Sequence, residues 1–207
     1  MRKDVNVAGF GRVACWWLLM VGLSGLGGCF RSSVPDQFYM LRAADVPSKS
    51  AFSGAGPSVG LGPVRIPAYL DRPQIVTATS AQEYQLSEDH RWAERLDENI
   101  ARISAQNLSA LIPSDRILIH PWPRDPKPDV QVAISIQEMH VDPRGEVRMS
   151  ALWSLRHGKS DVANRKFSCR LPASTTDYAQ MVEVESQCLA RLNQEMASAI
   201  QKLISPG

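Results

Sequence analysis

The sequence predicts a single α/β domain: a mixed, largely antiparallel sheet covered by two principal helices. Three observations carry this. Asp129–Val141 and Glu146–Leu155 alternate apolar and polar residues around Pro143-Arg144-Gly145, the pattern of a long hairpin with one buried side. Two other stretches repeat apolar residues at helical spacing, and each stripe needs a sheet face to lie on. Of the 207 residues, 44% are apolar and 21% charged, which suits a globular domain and excludes a disordered chain.

Charge excludes little else but nucleic acid. Lys and Arg number 23 against 21 Asp and Glu. The excess sits at the start, where Arg2, Lys3 and Arg12 face only Asp4. Beyond residue 28 the chain is balanced, so bulk charge does not choose its partners.

The first element is a signal. A positive segment leads into the apolar run Val13–Leu23, followed by Ser24, Gly25, Gly27 and Gly28. Such a run falls short of the roughly 20 residues needed to span a bilayer and reads as a secretory signal. The competing reading, a short buried helix, would lose about 1 kcal/mol at each of three glycines. Leu26-Gly27-Gly28-Cys29 resembles the bacterial lipobox, in which cleavage leaves Cys29 as the first residue and its thiol receives lipid. Each buried methylene contributes about 0.8 kcal/mol, so three acyl chains hold a protein on a membrane without protein contacts. In signals of this kind an Asp after the cysteine commonly means inner-membrane retention; Phe30 stands there and favours the outer membrane. The expected organisation is a signal peptide (1–28), a lipidated tether (29–36) and a domain (37–207).

Within the domain, Gln37–Arg42 is a strand and Ala43–Ser58 a loop rich in Ser, Gly, Ala and Pro. Gly54, Gly56, Gly60 and Gly62 are no phosphate cradle, because strand-like Val64-Arg65-Ile66 follows rather than a helix. Val59–Ile66, Ile75–Thr79 and Glu83–Ser87 are strands. Asp89-His90-Arg91-Trp92 reads as a capping and surface cluster ahead of the first helix. That helix has Leu96, Ile100, Ile103, Leu108 and Leu111 as its stripe and Pro113 beyond its end. Arg116–His120 is a strand, and Pro121–Pro128, with four prolines, is a stiff extended connection. Arg165–Leu171 adds a strand after the hairpin. The second helix runs from about Asp177 to Leu203, with Thr175 or Thr176 as N-cap and Glu183, Glu185, Arg191 and Glu195 on its outer side.

Of four cysteines, Cys15 leaves with the signal and Cys29 takes lipid, so Cys169 and Cys188 remain as an even pair in an oxidising compartment. The second helix returns over the sheet, so the two can meet as a disulfide; two buried free thiols are the alternative. No cluster has zinc-ligand spacing, so no metal or cofactor is expected. His90, His120, His140 and His157 lie in no catalytic motif, and Asp97-Glu98, adjacent on a helix, point about 100° apart and form no acid/base pair. Trp122, among prolines, is a candidate partner contact, or else packs on its own loop.

Several segments together carry a resemblance. After the lipobox come Phe38-Tyr39-Met40-Leu41, then Val59-Gly60-Leu61-Gly62-Pro63-Val64-Arg65-Ile66-Pro67, then Tyr69-Leu70-Asp71-Arg72-Pro73-Gln74-Ile75-Val76, and Glu83 through Arg91-Trp92-Ala93-Glu94 into the helix. This series resembles the ABC-type transport auxiliary lipoproteins of the paraquat-inducible protein C type, over most of residues 29–205. Phe38-Tyr39 departs from the paired tyrosines common there. The resemblance implies a three-layer α/β fold with a mixed sheet. It also implies a non-enzymatic, outer-membrane component of an envelope lipid-transport system that supports membrane integrity. The implied partner is a periplasmic protein with mammalian-cell-entry (MCE) domains, of the PqiB type, and a symmetric tube of such a partner would favour a homo-oligomeric ring. No contact residue follows from it. The rival expectation is a self-standing envelope lipoprotein with a hydrolase or small-ligand role around His90 or His120.

Overall fold

The computed structural model describes residues 35–45, 56–112, 114 and 116–204. The signal, Cys29 and the tether up to residue 34 lie outside the described residues, as does most of the loop expected over 43–58. Eight strands and two helices follow in the order β1 (Gln37–Tyr39), β2 (Val59–Arg65), β3 (Gln74–Ala78), β4 (Tyr84–Trp92), α1 (Leu96–Leu111), β5 (Ile117–Ile119), β6 (Val130–Val141), β7 (Glu146–His157), β8 (Ser160–Pro172) and α2 (Tyr178–Ile204). From Asp36 onward the chain forms one unit.

The strands make one mixed sheet in the order β1-β4-β3-β6-β2-β5, with β7 on the other side of β6 and β8 on β7. The antiparallel ladders β3–β4, β6–β7 and β7–β8 carry most of the paired residues. Parallel pairings join β1 to β4 and β2 to both β5 and β6.

The hairpin is the centre of the core. Val130, Val132, Ile134 and Ile136 of β6 are buried, facing Val147, Met149, Ala151, Trp153 and Leu155 of β7 in alternation. A bulge between Ile136 and Glu138 advances the register by one residue, so that Met139 and Val141 carry the buried face onward. Apolar stripes from both helices close over this face, through Leu96, Ile100, Ile103 and Leu108 of α1 and Met181, Leu189, Leu192, Met196 and Ile200 of α2. The layers are therefore the helix pair, the sheet and, over the outer face of β2, the proline-rich segment.

Four local readings need correction. Asp89-His90-Arg91-Trp92 is the end of β4, not a cap, because β1 pairs there in parallel: Gln37 opposite His90, Phe38 opposite Arg91, Tyr39 opposite Trp92. Strand β8 begins at Ser160, five residues before Arg165, and its polar start suits an edge strand exposed on both sides. The N-cap of α2 is Asp177, whose Oδ1 accepts from the Gln180 backbone N–H at 3.1 Å. Glu185 is not on the outer side of α2: it is 3% exposed. That helix packs against the sheet and against α1, so its buried arc is wider than a single stripe. At the other helix, Ile112 is extended (φ −108°, ψ 153°) and ends α1 directly before Pro113, where proline disfavours helical backbone in the preceding residue.

Candidate anchoring and docking surfaces

Four parts of the domain are built in ways that core packing alone does not require. The first is a strap. Beyond β1 the extended residues Met40–Asp45 run along the groove between the helices. Side-chain oxygens replace a sheet partner: Asn99 Oδ1 accepts from Leu41 N (2.8 Å), Ser186 Oγ from Arg42 N (3.1 Å) and Asn107 Oδ1 from Ala44 N (2.9 Å). Asn99 is itself held, donating through Nδ2 to Glu94 Oε1 at 2.6 Å, and Glu94 also pairs with Arg102. Leu41 fills the groove, 2% exposed. The segment that follows β1 is thus tied to both helices, and at the buried Leu41 an unmade hydrogen bond would cost about 1–3 kcal/mol.

The second is the corner where β1, β4 and α2 meet. The Tyr39 hydroxyl donates to Gln37 Oε1 (2.9 Å), leaving its oxygen to accept from His90 Nδ1 (2.8 Å). The His90 ring stacks on Tyr178, with centroids 3.8 Å apart and planes 9° from parallel. Desolvation, with Asp177 nearby, holds the Tyr39 phenol above its ordinary pKa. Here His90 is a packing and hydrogen-bonding residue: its stacked ring and its Nδ1 are both engaged by tyrosines.

The third is the outer face of β2. Val59 and Leu61 turn into the core, so Gly60 and Gly62 turn the other way. A Cβ at Gly60 would sit 2.6 Å from Pro128 Cγ and 3.1 Å from the Trp122 ring. At Gly62, with φ +119°, it would sit 2.7 Å from His120 Cβ. The two glycines clear a track on the sheet in which the proline-rich segment lies. Trp122 is half-buried there, packed edge-on to His120 at 5.1 Å. Beside it a shelf of about 520 Å³ is lined by His120, Trp122, Arg65, Gln131, Ser154 and Arg156.

His140 belongs to a fourth, buried polar group at the end of β6. Its Nδ1 lies 3.5 Å from the Tyr69 hydroxyl, which accepts from Met139 N at 3.3 Å. Its Nε2 faces Glu138 (3.6 Å), which pairs with Arg148 (3.2 Å). Burial lowers the His140 pKa, against the opposing pull of Glu138, and burial pushes the Tyr69 phenol up to about 12. Neutral imidazole and neutral phenol then satisfy one another. Among the described residues no three His, Cys, Asp or Glu side chains gather in a metal-binding arrangement.

Cys169 of β8 and Cys188 of α2 are bonded, with Cα atoms 5.7 Å apart, pinning the edge strand to the helix above it. No helix among the described residues is long and apolar enough to cross a membrane.

Comparison with known proteins fits this construction. The family model described as "ABC-type transport auxiliary lipoprotein component" matches residues 39–197. The chain is 25% identical over 188 residues to "Intermembrane transport lipoprotein PqiC" of Escherichia coli strain K12, covering 90% of this chain and 96% of that one. The protein of the same name from Shigella flexneri matches equally. Among solved structures, one from Xanthomonas campestris shares the fold at a TM-score of 0.64, with 19% identity over 81% of this chain and 97% of its own.

Proposed function

Because the chain belongs to the ABC-type transport auxiliary lipoprotein family, an auxiliary role in intermembrane transport is our premise, and we propose the following for the protein itself. It is a lipoprotein acylated at Cys29 after removal of residues 1–28 and tethered by residues 29–36 to the outer membrane on its periplasmic side. Its domain docks a periplasmic MCE-domain partner of the PqiB type, without catalysis, and through that partner supports lipid transport and membrane integrity. Copies assemble as a ring matched to a symmetric partner. The observation that carries the reading is the family match over residues 39–197 together with Leu26-Gly27-Gly28-Cys29 ahead of it. The surroundings of His90 support a non-catalytic role, since Tyr39 and Tyr178 occupy its Nδ1 and one ring face.

Crosslinking in intact cells, followed by identification of the captured protein, tests the partner. Recovery of an MCE-domain protein, lost in Cys29→Ala, is the expected result. Capture that repeatedly yields other envelope proteins and no MCE-domain protein refutes it. Cys29→Ala should leave the melting temperature of the domain unchanged while moving the protein out of the membrane fraction.

A further inference from the structure

We propose that the β1 corner of the domain, with Phe38 at its centre, seats on the lipid surface, an inference that rests on acylation at Cys29. Three observations lead there. Phe38 of β1 is 63% exposed and Met40, the residue after the strand, 47%, an unusual investment of apolar surface around a three-residue strand. Alternation explains the direction: Tyr39 turns in toward His90 and Tyr178, so Phe38 turns out on the opposite face, beside its register partner Arg91. The tether then limits what this face can meet. Seven residue steps separate Cys29 from Asp36 and reach at most about 25 Å. A domain of this size is roughly 40 Å across. An anchor shorter than the body cannot present the far side to the bilayer, and the near side is β1.

Charge says which kind of contact this is. Arg91 is paired with Asp36 at 3.1 Å, and Arg102 with Glu94. The guanidinium of Arg102 also reaches Met40 Sδ at 3.7 Å. The two arginines nearest Phe38 and Met40 are thus each compensated by a carboxylate. An aromatic ring flanked by paired arginines suits the boundary between headgroups and acyl chains. Of the other exposed apolar side chains, Tyr84 and Leu86 lie on β4, Leu152 on β7 and Val162 on β8, while Leu118 and Ile119 lie on β5, which pairs with β2 and with neither β1 nor β4.

The test places a photoreactive phenylalanine analogue at position 38 or, separately, at 118, in the chain beginning at Cys29. The protein is anchored on phosphatidylcholine vesicles in two ways: as material acylated in cells, verified by mass, and as unacylated material coupled through the Cys29 thiol to a maleimide lipid. The expected result is a lipid adduct at 38, lost at 118, in both preparations and insensitive to salt. No lipid adduct at 38, equal adducts at both positions, or an adduct to a second copy of the chain at 38 overturns the proposal. If mass analysis finds Cys29 unmodified in cells, the acylation reading falls by itself, and the coupled sample still decides whether this corner meets lipid.

Discussion

Replacing Glu185 with glutamine should stabilise the protein at neutral pH and leave it unchanged in acid. The side chain is 3% exposed, its Oε2 has no hydrogen-bond partner, and no ion pair reaches it among the described residues. Desolvation therefore raises its pKa from the ordinary 4.5 to about 8. The folded state holds a proton that the unfolded chain releases above pH 4.5. Stability is then complete below the unfolded value and falls by about 1.4 kcal/mol for each pH unit up to the folded value. At pH 7 the loss is on the order of 3 kcal/mol, and above pH 8 it levels off near roughly 5 kcal/mol. Glutamine keeps the shape of the neutral acid and removes the titration. Glu185→Gln should match the parent near pH 4.5 and exceed it at pH 7 by about 3 kcal/mol, or roughly 6–12 °C in Tm for a domain of this size. Paired thermal or urea melts from pH 4.5 to 8.5 measure the difference, and other titrating groups cancel between the two proteins. Equal stabilities across that range would mean that Glu185 is ionised at no cost, and the argument from burial would fail.

The remaining predictions concern the ties between elements. Replacing Cys169 and Cys188 together by alanine opens a loop closed across a separation of 19 residues; the chain-entropy model puts the loss at about 3 kcal/mol, read as a lower Tm that dithiothreitol reproduces in the parent. Gly60→Ala places a methyl group against Pro128 and Trp122; a loss of about 1–3 kcal/mol is expected, with red-shifted Trp emission as the proline-rich segment lifts. Asn99→Ala leaves the buried Leu41 N–H without its acceptor; the expected loss is about 1–3 kcal/mol, with faster hydrogen exchange at residues 41–44 and little change in β6 and β7.

What the sequence made legible was whatever a single element decides by itself. The alternation of β6 and β7 and the stripe of α1 each report a local contrast between a wet and a dry face, and both stand in the structure close to their expected bounds. What escaped depends on a partner far along the chain. Asp89–Trp92 carries no strand pattern of its own; it is a strand because β1, more than fifty residues away, lies beside it. Glu185 reads as solvated from a single apolar stripe, but the helix packs on two sides, against the sheet and against α1. The strap has a signal in the sequence: Asn99, Ile103 and Asn107 are spaced four apart, placing two amides on the buried side of α1. Polar residues in that position ask which backbone they serve. The glycines of β2 had one too, since alternation put Gly60 and Gly62 together on one face, and a bare strip on a strand marks the close approach of another segment.

The sheet branches at β6: β2, followed by β5, pairs with the first part of β6, β3, followed by β4 and β1, pairs at its end, and β7 and β8 continue from its other edge. A load applied at β1 would pass into the strap, whose three side-chain hydrogen bonds share it between both helices rather than a single sheet edge. The disulfide closes the same circuit from the other side by fixing β8 to α2. The strap, the cleared track and the disulfide each remove one way in which the body could yield, so the helices, β2 and β8 are held as one piece.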